Sequence, residues 1–362
     1  MTKNAYVHIP FCKSKCGYCS FVSYPQEDKV PKYLECLKRE IKYFYKGEPL
    51  STLYFGGGTP SLLSVEQIKA VVELFELEQG AEITIELNPE TLTQAYFEGL
   101  KEAGINRISM GCQTFNDEVL RLIGRRHNSK QVEAAVSMAQ NSGFENISLD
   151  FIYGLPTQTL SGFVSDLNHA VELGVEHISL YGLKIEEGSR FFKNRPENLP
   201  DEDLQADMYL AAIECLKSND FEHYEISNFS KSGYNSRHNL NYWNNNSYYG
   251  FGIAAHGYVD GIRYSNYRDF ENYFKNPTKH AISHKLTEQE VLEEEIFLGF
   301  RRMDGVDFSI INKKFEIDFE KKYSDILKKY YDYGMLEKTD AGCKLTDSGI
   351  LVSNVILAEF LQ

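Results

Sequence analysis

Three cysteines lie together near the start of the chain: Cys12, Cys16 and Cys19, spaced C-x3-C-x2-C. Thiolates at short spacing are soft-metal ligands. An iron–sulfur cube normally takes four cysteines, so three leave one iron open to an outside ligand. The aromatic Tyr18 directly precedes the last thiol. Zinc is a second reading. It usually takes four ligands in paired Cys or Cys/His groups, and no second pair follows here. Three reduced thiols in an ordinary loop are the third, although clustered cytosolic cysteines point more often to metal or catalysis.

Other residues able to do chemistry recur where β-like runs end. Gly56, Gly57 and Gly58 precede Thr59, and such a stretch lets backbone approach a ligand closely. It is not a phosphate-binding P-loop, because no Lys-Ser/Thr pair follows. Glu86 sits in the apolar run Ile85–Leu87, and Asp150 lies between Leu149 and Phe151. A carboxylate so placed needs a partner or a shifted pKa. Either one alone reads as a satisfied strand-end residue. With Gln113 and Tyr181 at equivalent positions, the set predicts one polar cavity facing the cysteine loop, suited to an aminoacyl sulfonium and a ribose.

These residues need a scaffold. β-like runs are expected at Ala5–Ile9, Thr52–Phe55, Glu82–Leu87, Arg107–Met110, Asn146–Ile152 and His177–Leu180. Helical runs alternate with them at Val30–Tyr45, Ser64–Leu77, Thr93–Ala103, Lys130–Asn141 and Leu160–Leu173. Such alternation predicts an α/β fold with a parallel sheet and helices outside, and six units suit an open partial (β/α)6 barrel. A doubly wound sheet stays an alternative. A helix at Asp203–Lys217 and a strand at Glu222–Phe229 complete a first domain, residues 1–230. In residues 231–362 the character changes. The six asparagines of Asn235–Asn246 favour turns and irregular backbone. Glu288–Phe300 reads as an amphipathic helix. The stretch Ile310–Gln362 reads helix, helix, hairpin (Leu336 to Leu345), helix, a smaller, mostly helical, winged-helix-like domain.

With 362 residues the chain can bury a large core. Its net charge of −14 argues against nucleic acid, whose binding rests on phosphate neutralisation. The winged-helix-like tail has no basic face, so packing or partner docking is expected of it. No apolar stretch approaches the ~20 residues of a membrane span. That leaves only peripheral membrane contact open. Seven cysteines without an apolar leader at Met1–Asn4 point to a reducing, cytoplasmic setting. The scattered Cys36, Cys112, Cys215 and Cys343 read as small core hydrophobes.

The motifs together carry a family resemblance. They are YVHIPFC at Tyr6–Cys12, FGGGTPS at Phe55–Ser61, IELNPE at Ile85–Glu90, RISMGCQTF at Arg107–Phe115 and GRRH at Gly124–His127. They continue as SLDFIYGLP at Ser148–Pro156, YEISNFS at Tyr224–Ser230 and SRHNLNYW at Ser236–Trp243. This set, which covers nearly the whole chain, resembles the coproporphyrinogen-oxidase-like branch of the radical-SAM family, and within it the haem chaperones. The resemblance implies a [4Fe–4S] cluster on Cys12, Cys16 and Cys19, with S-adenosylmethionine (SAM) on its open iron. It implies SAM contacts from Tyr6, Gly57, Gly58, Thr59, Glu86, Gln113, Arg125 and Asp150, with Arg126 a neighbour of Arg125 able to compete for that role.

Two departures separate the chain from the oxidase. That enzyme has a further cysteine two places after the third ligand, where this chain has Phe21. It also has an N-terminal extension, whereas eleven residues precede Cys12 here. The motif HNxxYW (His238, Asn239, Tyr242, Trp243) is tied in the haem chaperones to haem binding. His238 could offer an imidazole to haem iron, with Tyr242 and Trp243 against the porphyrin. The same residues could instead stitch the second domain to the barrel. Both readings stand, and His8 and His256 are other candidate haem ligands, with His8 better placed to support the cluster pocket. The resemblance therefore implies a chaperone that binds haem and passes it to haem-accepting proteins. The alternative is an oxygen-independent coproporphyrinogen III oxidase working by radical decarboxylation, and whether the chain is a catalyst stays open. A haem-degrading radical methyltransferase has nothing specific in the sequence to support it.

Overall fold

A computed structural model describes residues 1–361. Six parallel strands carry the fold: β1 (Asn4–Ile9), β2 (Leu50–Gly57), β3 (Leu77–Leu87), β4 (Arg107–Gln113), β5 (Ile147–Tyr153) and β6 (His177–Gly182). Each pairs with the next in sequence order. Order without reversal is the mark of a barrel wall, because a doubly wound sheet changes direction at a switch point. The wall is extended at both ends. At one end β7 (Glu222–Glu225) and β8 (Asn228–Ser230) form a hairpin on β6, and at the other β9 (Tyr249–Phe251) joins β1 in parallel. The arc is an open partial barrel.

The connecting helices are α1 (Val30–Phe44), α2 (Val65–Val72), α3 (Gln94–Glu102), α4 (Asp117–Leu122), α5 (Ser129–Asn141) and α6 (Leu160–Glu172). Then come α7 (Arg190–Lys193), α8 (Glu202–Lys217) and α9 (Arg237–Trp243). Successive strand residues point to opposite faces. On the outer face Val7, Leu53, Phe55, Ile85, Ile108, Leu149 and Ile178 are fully buried, in one core with Leu37, Phe97, Val136 and Phe163 of the helices. The alternate, inward positions carry Thr52, Tyr54, Glu86, Arg107, Ser109, Asp150, His177 and Ser179. The interior is therefore hydrogen-bonded: Ser148 Oγ lies 2.7 Å from His177 Nδ1, and His177 Nε2 lies 2.8 Å from Tyr224 Oη. A barrel filled with branched aliphatic layers would have no room for a ligand.

Three sequence expectations change. The single strand expected over Glu222–Phe229 turns at Ile226–Ser227 into the hairpin of β7 and β8. The helix expected over Ser64–Leu77 ends at Val72, and Leu77 already pairs with Leu50 in the sheet. The asparagine-rich stretch holds a helix, α9. Ser236 caps it by accepting from Asn239 N, and the backbone N–H groups of Arg237 and His238 donate to the Glu82 carboxylate at 3.0 Å each. Tertiary fastening outweighs the poor helix propensity of asparagine. Beyond it, β10 (His256–Val259), β11 (Ile262–Ser265) and β12 (Ile282–Lys285) form an antiparallel sheet beside α10 (Phe270–Lys275) and α11 (Glu288–Gly299). A winged-helix-like unit follows: β13 (Val306–Asp307), α12 (Phe308–Phe315), α13 (Phe319–Lys322), α14 (Ser324–Asp332), the hairpin β14 (Leu336–Lys338) and β15 (Gly342–Leu345), α15 (Asp347–Leu351) and α16 (Ser353–Ala358). Among the described residues no helix is long and apolar enough to cross a membrane.

Candidate functional site

A cavity of about 930 Å³ runs from the loop after β1 into the barrel. Ligand pockets commonly span roughly 300–1,000 Å³. Cys12, Cys16 and Cys19 line it together with Gly57, Gly58, Thr59, Glu86, Gln113, Arg125 and Asp150. Residues far apart in sequence meet because each sits at or beyond the carboxyl end of its strand or on the strand's inward face.

The cysteine loop is held from several sides. Cys12 N–H donates to Tyr24 O, Gly17 N–H to Ile123 O, and Phe191 N–H to Gly17 O. Cys12 Sγ lies 3.2 Å from Thr59 Oγ1, and Arg125 points Nη1 at Cys16 Sγ from 3.8 Å. Burial raises the Cys12 thiol and pushes Cys19 up to about 11, so both stay protonated at neutral pH until a metal displaces the proton. Among the described residues no three His, Cys, Asp or Glu side chains converge as ligands to a single ion. An iron–sulfur cube makes a different demand. Each sulfur would bind its own iron, so the donors need not meet at one point, and all three cysteines line one cavity.

The glycine run is shaped for close approach. Gly57 has φ +112°, and a Cβ there would lie 2.4 Å from the His8 ring; at Gly58 it would lie 2.5 Å from Phe11 O. Gly57 N–H donates to Glu86 Oε2 at 3.0 Å and Tyr54 Oη donates to Oε1 at 2.9 Å. Burial still pushes the Glu86 carboxyl up to about 7, with Asp150 adding to the rise. Asp150 accepts from Ser109 Oγ on both oxygens at 3.1 Å, and burial raises it too. Two carboxyls held above their usual range, touched only at longer range by the Arg107 charge and ion-paired with no cation among the described residues, suit a cationic ligand. Gln113 sits at a bulge in β4 with φ +71°. Arg125 is buried and donates to Asn88 Oδ1 (2.9 Å) and Gly111 O (2.7 Å), whereas Arg126 faces out toward Glu90 at 3.4 Å. Tyr6 stands behind the cavity wall, its Oη 3.0 Å from His8 Nδ1 and its ring against Tyr54.

The HNxxYW residues are divided. His238 is fully buried, its Nδ1 2.7 Å from Thr52 Oγ1 and its Nε2 2.8 Å from Tyr242 Oη, its ring stacked on Tyr54. Both ring nitrogens are engaged, and burial followed by nearby Arg107 lowers its pKa to about 3. His238 and Tyr242 thus fasten α9 to the barrel. Asn239 lines the cavity, and Trp243 lies against the Arg301 guanidinium. His8 is buried, with Nε2 2.8 Å from Val22 O, so it braces the end of the cysteine loop; His256 is exposed. Phe21 is two-thirds exposed at the cavity mouth. Tyr54, Asn88, Arg107, Ser109, Ser179 and Arg301 also line the cavity, unforeseen from the sequence. Strand parity was the available signal: polar residues at alternate positions of apolar strands mark an inward face.

The model of the Radical SAM superfamily matches residues 6–170, and that of the HemN C-terminal domain matches residues 286–352. The chain is 39% identical to the heme chaperone HemW of Lactococcus lactis, covering 99% of this chain and 97% of that one. It is 37% identical to the heme chaperone HemW of Bacillus subtilis, covering 99% of each. Its fold is similar to that of the Escherichia coli coproporphyrinogen III oxidase HemN, with TM-score 0.87 over 99% of this chain and 90% of that one, at 24% identity. Likeness at these identities over nearly full length, on a barrel wall bearing the three-cysteine loop, shows that the chain belongs to the heme chaperone HemW family of radical-SAM proteins.

Proposed function

We propose that the chain binds haem and transfers it to haem-accepting proteins. In this reading it carries a [4Fe–4S] cluster on Cys12, Cys16 and Cys19 and holds SAM beside it. The observation that carries the reading is the nearly full-length likeness to relatives named heme chaperone HemW. Phe21, where the oxidase has a further cysteine, supports the same choice.

The chain's own residues have definable parts in this scheme. When bound, a three-thiolate cluster supplies an iron with a free coordination position and a source of single electrons. Arg125 sends an N–H toward the Cys16 sulfur, a contact of the kind that tunes cluster potential. The Glu86 carboxylate and the backbone around Gly57–Thr59 accept the methionine ammonium of SAM. Its positive charge compensates the burial of Glu86 and brings that carboxyl back down. Gln113 and Asp150 hold the ribose hydroxyls. Held by these residues, SAM would serve as a state signal for haem release rather than as a consumed reagent.

The test uses one anaerobically reconstituted sample, split between haem titration followed at the Soret band and a coproporphyrinogen III assay with dithionite and SAM. Saturation near one haem per chain without porphyrin turnover is expected. Catalytic turnover, or absence of saturable haem binding, overturns the reading in favour of the oxidase.

A further inference from the structure

Two arginines on the cavity wall have no side-chain hydrogen bond or ion pair among the described residues. Arg107, at the amino end of β4, is 2% exposed and has an orphaned Nε. Arg301, just past α11, is half-buried, and its Nε is likewise orphaned. Its guanidinium lies over the rings of Phe297 (4.7 Å) and Trp243 (5.8 Å). Arg263 shows what this chain does with a partnered arginine: Nε and Nη2 grip the Glu294 carboxylate at 3.0 and 2.7 Å. Burying a guanidinium without such a partner is costly. Keeping two on one cavity, in a chain of net charge −14, points to anions supplied from outside.

The nearby acids do not fill that need: Glu86 and Asp150 feel the Arg107 charge but form no ion pair with it. No carboxylate oxygen of the described residues lies within 4.0 Å of either guanidinium. Glu225, beside Arg301, is already held by Ser227 N–H at 3.1 Å and by the Asn228 amide, and Glu82 by the first turn of α9. Nor is the methionine end of SAM suited to the seat. Arg107 begins β4 and Gln113 ends it, a separation of about 20 Å at 3.3 Å per residue. Asn239 adds an amide to the same wall, and the tyrosine, isoleucine and leucine side chains of Tyr209, Ile226 and Leu351 add apolar surface.

We propose that Arg107, Arg301 and Asn239 form a carboxylate seat in the cavity, which takes the acidic side chains of a tetrapyrrole. This rests on the haem reading above and gives HNxxYW a different part from iron ligation. His238 and Tyr242 lock α9 in place, Trp243 supports Arg301, and Asn239 touches the ligand. Arginine is the side chain suited to bidentate carboxylate recognition.

The experiment titrates the reconstituted full chain with haem and with haem dimethyl ester, whose carboxylates are masked. The native chain should bind the ester at least tenfold more weakly, and Arg301→Gln should lose most of that discrimination. Arg107→Gln should do the same, with thermal melting reporting whether it remains folded; the native-chain comparison needs no variant. Equal binding of haem and ester by the native chain overturns the seat. So does unchanged discrimination in Arg301→Gln, or an effect of that variant on SAM affinity alone. If haem itself fails to saturate, the haem reading falls separately. Metal-free coproporphyrin against its methyl ester, read by fluorescence, then puts the same question: discrimination sensitive to Arg301→Gln keeps the seat, and its absence removes it.

Discussion

Glu86 gives the sharpest single-residue test. Its ordinary carboxyl value of 4.5 rises to about 7 in the fold, because burial outweighs two hydrogen bonds. The folded state thus holds this proton more tightly than the unfolded chain. Its contribution to stability is complete below the unfolded value and is lost as pH rises through 7. In ligand-free protein, Glu86→Gln should therefore gain on the native chain by about 2 kcal/mol between pH 5 and pH 7 and level off above, read from melting curves. The same variant should lose SAM binding. A gain that does not grow with pH would mean Glu86 is already charged and paired. For His238→Ala, loss of the Thr52 and Tyr242 contacts and of the Tyr54 stack should cost about 2–4 kcal/mol. Haem titration of the folded variant should still saturate, since His238 has no free nitrogen; loss of haem binding without loss of stability would restore it as a ligand. At this scale the cysteines were legible because short spacing is itself the signal. The choice of Arg125 over Arg126, and the engagement of His238, depend on which way side chains turn in three dimensions, and spacing does not encode that.

Gly57 carries the largest local constraint among the elements of the site. A side chain there meets a left-handed backbone and the His8 ring together. His8 in turn braces the end of the cysteine loop through Val22 O. Gly57→Ala should cost about 1–3 kcal/mol from backbone strain alone. It should also lower the iron bound per chain after reconstitution while far-UV circular dichroism stays native. Full iron loading would show that the glycine run and the cysteine loop are independent. Ser236→Ala removes the cap of α9 and should cost about 1 kcal/mol by denaturant unfolding. The strands and most helices were legible from apolar periodicity and stop signals. The helix α9 was not, because its asparagines argue against a helix while the stabilising acceptor, the Glu82 carboxylate, lies on a distant strand. The deeper part of the polar inner face was missed for a related reason: Arg107, Ser148 and His177 look like scattered polar residues until strand parity places them on one side with Glu86 and Asp150.

At the scale of the whole molecule, sequential strand order made the barrel readable, while the pairing of β9 with β1 is a long-range contact between three-residue and six-residue stretches that no local pattern announces. Glu40 shows how the parts are joined. It sits in α1, fully buried, and accepts from Gly252 N–H (2.9 Å), Asn266 Nδ2 (2.5 Å) and Tyr273 Oη (2.5 Å). Glu40→Ala should leave the Gly252 N–H and the Tyr273 hydroxyl unpaired, Asn266 keeping Gly252 O, and cost about 3 kcal/mol, with hydrogen exchange rising first around residues 250–273. Uniform exchange would mean that this stretch has no separate opening. The central chemical claim is that three thiolates leave one iron for a small molecule. It is tested most directly by electron paramagnetic resonance of the reduced, reconstituted cluster with and without SAM. The account predicts a single [4Fe–4S] signal whose g-values shift when SAM is added. A spectrum indifferent to SAM, or a centre that proves to be zinc, would contradict it.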